Sequence, residues 1–413
     1  MSATPAFALP ASVLRQLAAA PHRLLFFVGA ANVLLAMVWW TAWLFGARWH
    51  VGTVPQPSVY AGWMHAMVMQ YQVLPSFIFG FLLTVFPRWM NQPALTRAHY
   101  IPVGLGLLGG QALTLASLCT GQPALLESGA ILTMAGWMIG TVMLTRLVYL
   151  DRGRTWHAVS CVFALAFGLL GLAFYLLYLI RPDARLIFTA IKIGSVAMLL
   201  PIYFTVCHRM IPFFASAALI GYRAVRPMWT LAVFWGVAVI HVWLELRHGY
   251  AWLWLPDLPL VVLTGWLLWV WWPRQQKSMP ALLRVLFLGF AWLPIAFALY
   301  TAQSAWYTAT GEFILGRAPA HALFIGYFGS LLVAMVTRVT QGHSGRPLVL
   351  GRVAGFAFIV VQVVALMRVL AEVVPDSPAW HAVAGVGWIV AFLPWILRSA
   401  WIYLTPRADG RPG

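Results

Sequence analysis

Two histidines bracket an apolar stretch in the last quarter of the chain. In APAHALFIGYFGSLLVAMVTRVTQGHSGRP, residues 318–347, His321 stands near the start and His343 near the end. Imidazole is costly at membrane depth and by default marks function there. The two are 22 positions apart, roughly 33 Å along a continuous helix, about a bilayer core. They cannot ligate one metal from one straight helix. Either one of them is incidental, or the chain does chemistry near both faces of a membrane.

The elements that would position them are transmembrane helices. Of 413 residues, 62% are hydrophobic and 8% charged, against about 25% charged in a soluble domain. This predicts an all-α, polytopic membrane bundle whose partner is the lipid bilayer. Its 23 Trp and 13 Tyr suit interfacial belts. The net charge of +17 is mostly arginine, which here reads as topology and not as nucleic-acid binding. Cys119, Cys161 and Cys207 form no CxxC pattern and read as core thiols. The amino-terminal MSATPAFALPASVLRQ lacks a basic start followed by an apolar run, so it reads as retained, not as a cleaved signal.

Hydropathy predicts twelve spans, near 24–46, 59–86, 100–120, 123–149, 156–180, 184–208, 227–247, 250–272, 281–302, 319–340, 349–370 and 379–403. They are numbered 1 to 12 in that order. Residues 1–404 form one transmembrane domain and 405–413 a disordered tail. Sorting Lys and Arg by loop side puts 19 on the side of the termini and 6 on the other, with Lys192 inside a span. By the positive-inside rule both termini are cytoplasmic. Gly136–Gly140 and Gly351–Gly355 are GxxxG pairs, which permit close helix contact.

With sides assigned, the histidines sort by depth. His65, in span 2, and His321, at the start of span 10, lie near the outer face, with His241 and His381 as candidates to join them. His208 and His343 lie near the inner face. A six-coordinate haem takes two axial groups from facing helices, and His65 with His321 fits that need. The plainer alternative is that each histidine only hydrogen-bonds a neighbouring helix. Met64, Met67 and Met69 surround His65. Thioethers and imidazole suit Cu(I) or an axial haem position, although methionine is also common apolar filler. Lys192 in span 6 and Asp257 in span 8 lie at similar depth and would relieve each other's charge. Alternatively, Lys192 neutralises a haem propionate or serves a proton path. Arg209 and Arg338, beside the inner histidines, would bind propionates or another anion, unless they only set topology.

At these residues the chain resembles the NnrS family of bacterial membrane proteins. The match rests on WMHAMVMQYQVLPSFIFGFLLTVFPRWMNQP at 63–93, CHRMIPFF at 207–214, HALFIGYFGSLLVAMVTRVTQGHSGRPL at 321–348, and the twelve-span layout. It covers essentially the whole chain. The resemblance implies a multi-pass protein of the bacterial inner membrane that carries haem b and copper. It implies a role in nitric oxide metabolism or protection from nitrosative stress. It assigns His65, His208, His321 and His343 as site histidines. Where many members carry a second histidine two positions after the first, this chain has Met67, which puts copper in question or softens its ligand set. The layout is also distantly similar to the main subunit of haem–copper oxidases, but the chain has no His-His pair for that copper site. The alternative function is a twelve-span secondary transporter coupled through Lys192 and Asp257. Neither an electron donor nor a catalytic residue is apparent.

Overall fold

The computed structural model describes residues 11–52, 54–55, 57–274 and 278–410. The amino-terminal segment before Ala11, Lys277 and Arg411 lie outside them. Among the described residues, twelve helices are long and apolar enough to cross a membrane and no strand is present. Spans 1 to 6 are Pro21–Trp49, Ala61–Trp89, Arg97–Thr120, Pro123–Leu150, Trp156–Ile180 and Ala184–Ala218. Spans 7 to 12 are Trp229–Leu246, Tyr250–Trp271, Ala281–Thr310, Ala318–His343, Arg352–Leu370 and Ser377–Leu404. A short helix, Ala11–Leu17, precedes them. The hydropathy limits hold closely, except that span 6 runs ten residues further, to Ala218, and span 9 eight further, to Thr310. The two ends of the bundle's chain meet on one face: Arg23 Nη1 donates to the carbonyls of Tyr403 and Thr405 at 3.2 and 2.9 Å.

Spans 2, 6 and 10 form the centre. Their most apolar stretches are 89, 72 and 83% buried, and no other span exceeds 61%. The remaining nine of the described spans ring them in the order 1, 3, 4, 5, 7, 8, 9, 11, 12 and back to 1. Gln111 to the Asn32 carbonyl joins spans 3 and 1, Trp235 to Ser160 joins 7 and 5, and Trp292 to Gln362 joins 9 and 11. Central spans thus recur every fourth helix, a period that a comparison of two six-span halves misses.

Each central span contains a π-helical stretch, at Met69–Val73, Ile193–Leu199 and Ala322–Gly329. Two of these have a local cause. Pro75 and Pro201 follow the first two stretches. A proline ring clashes with the carbonyl four residues back and offers it no N–H. Those carbonyls belong to Tyr71 and Ala197, inside the widened turns. The freed Tyr71 carbonyl is not left empty, because the Trp137 indole of span 4 donates to it at 2.8 Å.

Small residues act where helices touch most closely. A side chain at Gly106 would run into the backbone of Gly136 across spans 3 and 4, and one at Gly140 would meet the Phe79 ring. The other GxxxG pair does not act this way: Gly351 faces open space and Gly355 meets only Leu350. The expected contact there is absent because that segment lies at a rim and not between helices.

Candidate functional site

His65 and His321 come together near the face opposite the termini. His65 lies one helical turn before the π stretch of span 2, and His321 immediately before that of span 10. The His65 ring lies flat on Trp40 of span 1, 4.4 Å between centroids with planes 10° apart. It makes no hydrogen bond among the described residues. His321 Nδ1 lies 3.0 Å from the Arg317 carbonyl. A carbonyl only accepts, so the proton is on Nδ1 and Nε2 keeps its lone pair. Both rings are half-buried and near enough to interact electrostatically.

Charged groups crowd this pair from the start of span 10 and from span 11 and its following loop. Arg317 and Arg368 both act on His65. Arg368, 6% exposed, pairs with Glu372 at 2.5 Å, and His381 Nε2 lies 3.3 Å from the same carboxylate. Burial alone would raise the Glu372 carboxyl, but His381 and Arg368 hold it at about 2. His381 therefore reaches the outer group through Glu372. His241, the other candidate to join it, is engaged elsewhere.

Met67 does not face the same way as His65. With Met64 it lines a small cavity against Thr114, Thr133 and Tyr175 of spans 3 to 5, whereas His65 leans on span 1. Positions two apart on a helix point to nearly opposite sides. Among the described residues no group of three or more His, Cys, Asp or Glu is placed to hold a metal ion. His65 and Met67 therefore do not converge on one point.

On the face of the termini the histidines form two pairs, and neither is His208 with His343. His343 packs on His22, at the start of span 1, with ring centroids 4.5 Å apart. His208 Nδ1 lies 2.9 Å from His157 Nε2, and its Nε2 lies 3.0 Å from Thr230 Oγ1. Thr230 donates its own proton to the Pro227 carbonyl at 2.7 Å. Thr230 must then accept from His208 Nε2, and His208 Nδ1 accepts from His157. Both nitrogens of His208 are occupied and the residue is 0% exposed. Arg209 lies over the Trp89 ring at 4.4 Å and Arg338 over Phe214 at 4.0 Å, with no carboxylate partner among the described residues.

Lys192 and Asp257 are not a direct pair. Lys192 Nζ donates to Glu245 Oε1 at 2.5 Å, and Asp257 Oδ1 lies 2.6 Å from His241 Nδ1. Glu245 and His241 of span 7 stand between them, 3.5 Å apart. Sequence reasoning missed Glu245, although its i,i+4 spacing from His241 inside an apolar span was a legible signal. His22 and His157 also escape the depth argument, although each lies on the same face as its partner.

No curated protein matches the chain. The family model described as NnrS protein matches residues 16–407. With nearly its whole length matched, this chain belongs to the NnrS protein family.

Proposed function

We propose that the protein binds haem b between spans 2 and 10 through His65 and His321, and acts in nitric oxide metabolism or in protection from nitrosative stress. The observation that carries the proposal is the state of the two rings. His321 donates Nδ1–H to the Arg317 carbonyl and presents Nε2. This is the backbone bond that typically orients a metal-binding imidazole and makes it more basic. Trp40 holds the His65 ring in plane, leaving its nitrogens without a protein partner. Two imidazoles with free lone pairs would hold a haem iron, and Arg317 and Arg368 beside them would hold its propionate carboxylates. Haem held by both histidines would supply a redox centre that exchanges electrons. Copper is not part of the proposal, since this chain's residues do not form a set for it.

A cavity of about 60 Å³ between spans 2, 6 and 10 adds support. It is lined by Phe77, Leu82, Tyr203, Val206, Leu332 and Val336, among others. Apolar cavities of this kind stay dry and admit small apolar molecules, and nitric oxide is one. The excess of arginine on the face of the termini supports a cytoplasmic side for that face, and membership of the family supports the bacterial inner membrane as its setting.

Purified protein in detergent tests this by its reduced-minus-oxidised visible spectrum together with iron analysis. A Soret band that is lost in both His65→Ala and His321→Ala is expected. Iron-free protein, or an undiminished band in both variants, would overturn the proposal.

A further inference from the structure

Away from the His65–His321 site, a line of four ionisable side chains runs through spans 6, 7 and 8. It runs from Lys192 to Glu245, then His241, then Asp257. The steps are Lys192 Nζ to Glu245 Oε1 at 2.5 Å, Glu245 Oε2 to His241 Nε2 at 3.5 Å, and His241 Nδ1 to Asp257 Oδ1 at 2.6 Å. Exposure falls in the same order: the side chains are 24, 4, 1 and 0% exposed. The line therefore starts at a partly exposed lysine and ends at a fully buried carboxylate. Two polar atoms along it have no hydrogen-bond partner among the described residues: His241 Nε2, which faces Glu245, and Asp257 Oδ2 at the inner end.

Local structure explains the placement. His241 and Glu245 share one face of span 7 at i,i+4. Asp257 lies in the first turn of its helix, where the helix dipole favours a carboxylate, and Pro256 and Pro259 flank it. Lys192 ends an α-helical segment just before the π stretch of span 6. Other titratable groups facing the line are Tyr300 of span 9, edge-on to His241 at 5.3 Å, and Tyr250 at the outer end, which His248 contacts at 3.0 Å. None of these brings a further carboxylate or a fixed cation.

Charge counting shows what the line can hold. Lysine and imidazolium against two carboxylates is neutral, whereas a neutral imidazole would leave one net negative charge buried, which is costly. The site is complete with one extra proton, and that proton rests in the 2.6 Å contact between His241 and Asp257.

We propose that Lys192, Glu245, His241 and Asp257 form a proton relay, a binding site for one exchangeable proton loaded from the face opposite the termini. Lys192 passes a proton to Glu245 Oε1 and regains one from water. The Glu245 carboxyl then turns to carry that proton to Nε2 of a neutral His241, and His241 releases its Nδ1 proton to Asp257. One proton enters at Lys192, one is gained at Asp257, and the groups between end as they began, apart from the imidazole tautomer. The 3.5 Å gap between Glu245 and His241 must shorten for transfer and is the slow step. The relay does not depend on whether haem is bound.

Full-length protein in lipid nanodiscs tests it by time-resolved infrared difference spectroscopy after a pH jump. Wild type should show a carboxyl or imidazole protonation signal that Asp257→Asn removes. The deciding variant is Lys192→Arg, which keeps the charge and the ion pair but cannot give up a proton. It should leave the thermal unfolding temperature unchanged and slow the signal by about a hundredfold. A wild-type rate in Lys192→Arg would show a merely structural ion pair and overturn the relay. So would a wild-type spectrum without any such signal. If Asp257→Asn does not fold, the Lys192→Arg kinetics decide alone.

Discussion

The Trp137 indole donates to the Tyr71 carbonyl at 2.8 Å, and that carbonyl is the one whose helical donor Pro75 has removed. A residue on span 4 thus completes the backbone of span 2. Trp137 is 0% exposed, so nothing else can take its place. Trp137→Phe should destabilise the bundle by about 1–3 kcal/mol, the usual effect of stranding a buried carbonyl. Unfolding in a denaturing detergent titration measures it. Adding Pro75→Ala, which restores a backbone donor, should recover part of the loss.

The two histidine faces should respond differently to substitution. His208→Ala removes one imidazole whose two nitrogens are already used, by His157 and Thr230. The expected outcome is a stability loss of about 1–3 kcal/mol with the visible spectrum intact. Loss of the spectrum with unchanged stability would instead assign His208 to a cofactor.

Glu372 gives the outer site a dependence on acid. Its carboxyl is held at about 2 against an ordinary value of 4.5. A depressed carboxyl stabilises the fold above its unfolded value and loses that contribution as pH falls toward the folded one. Wild type should therefore lose stability between about pH 4.5 and 2. Glu372→Gln should be less stable than wild type at neutral pH and should converge with it in acid. Thermal unfolding at several pH values distinguishes this from a pH-independent difference.

Contact between spans 3 and 4 is backbone against backbone at Gly106 and Gly136. Gly106→Val should destabilise by about 1–3 kcal/mol through overpacking. Gly355→Val, at the GxxxG pair that meets no other helix, should be nearly neutral. Parallel detergent titrations of the two variants make the comparison.

Span limits were legible because a bilayer demands long apolar runs, and hydropathy reports those directly. Partners were less so. His65 and His321 could be matched because both stand near one end of a helix at the same membrane face. His208 was matched to His343 on that same argument, and depth alone cannot say which helices are neighbours. The ring order of the bundle decides it, placing His157 of span 5 beside His208 and His22 of span 1 beside His343. The Lys192–Asp257 expectation failed as a contact for the same reason: span 7 lies between spans 6 and 8, and it carries Glu245 and His241. Met67 was read by composition, whereas its direction along the helix sets it against spans 3 to 5.

The π stretches of spans 2, 6 and 10 have one more consequence. Each inserts an extra residue into a turn, and one residue is about 100° of rotation. The segment on one side of the stretch is therefore set at an angle independent of the segment on the other. His65, Lys192 and His321 all stand on the amino-terminal side, and the residues lining the central cavity stand on the carboxy-terminal side. The same three helices work as two-part shafts, with the chemically active part and the packed part free to be phased separately. Deleting one residue from such a stretch would turn the histidines away from each other while leaving the cavity's own walls in register.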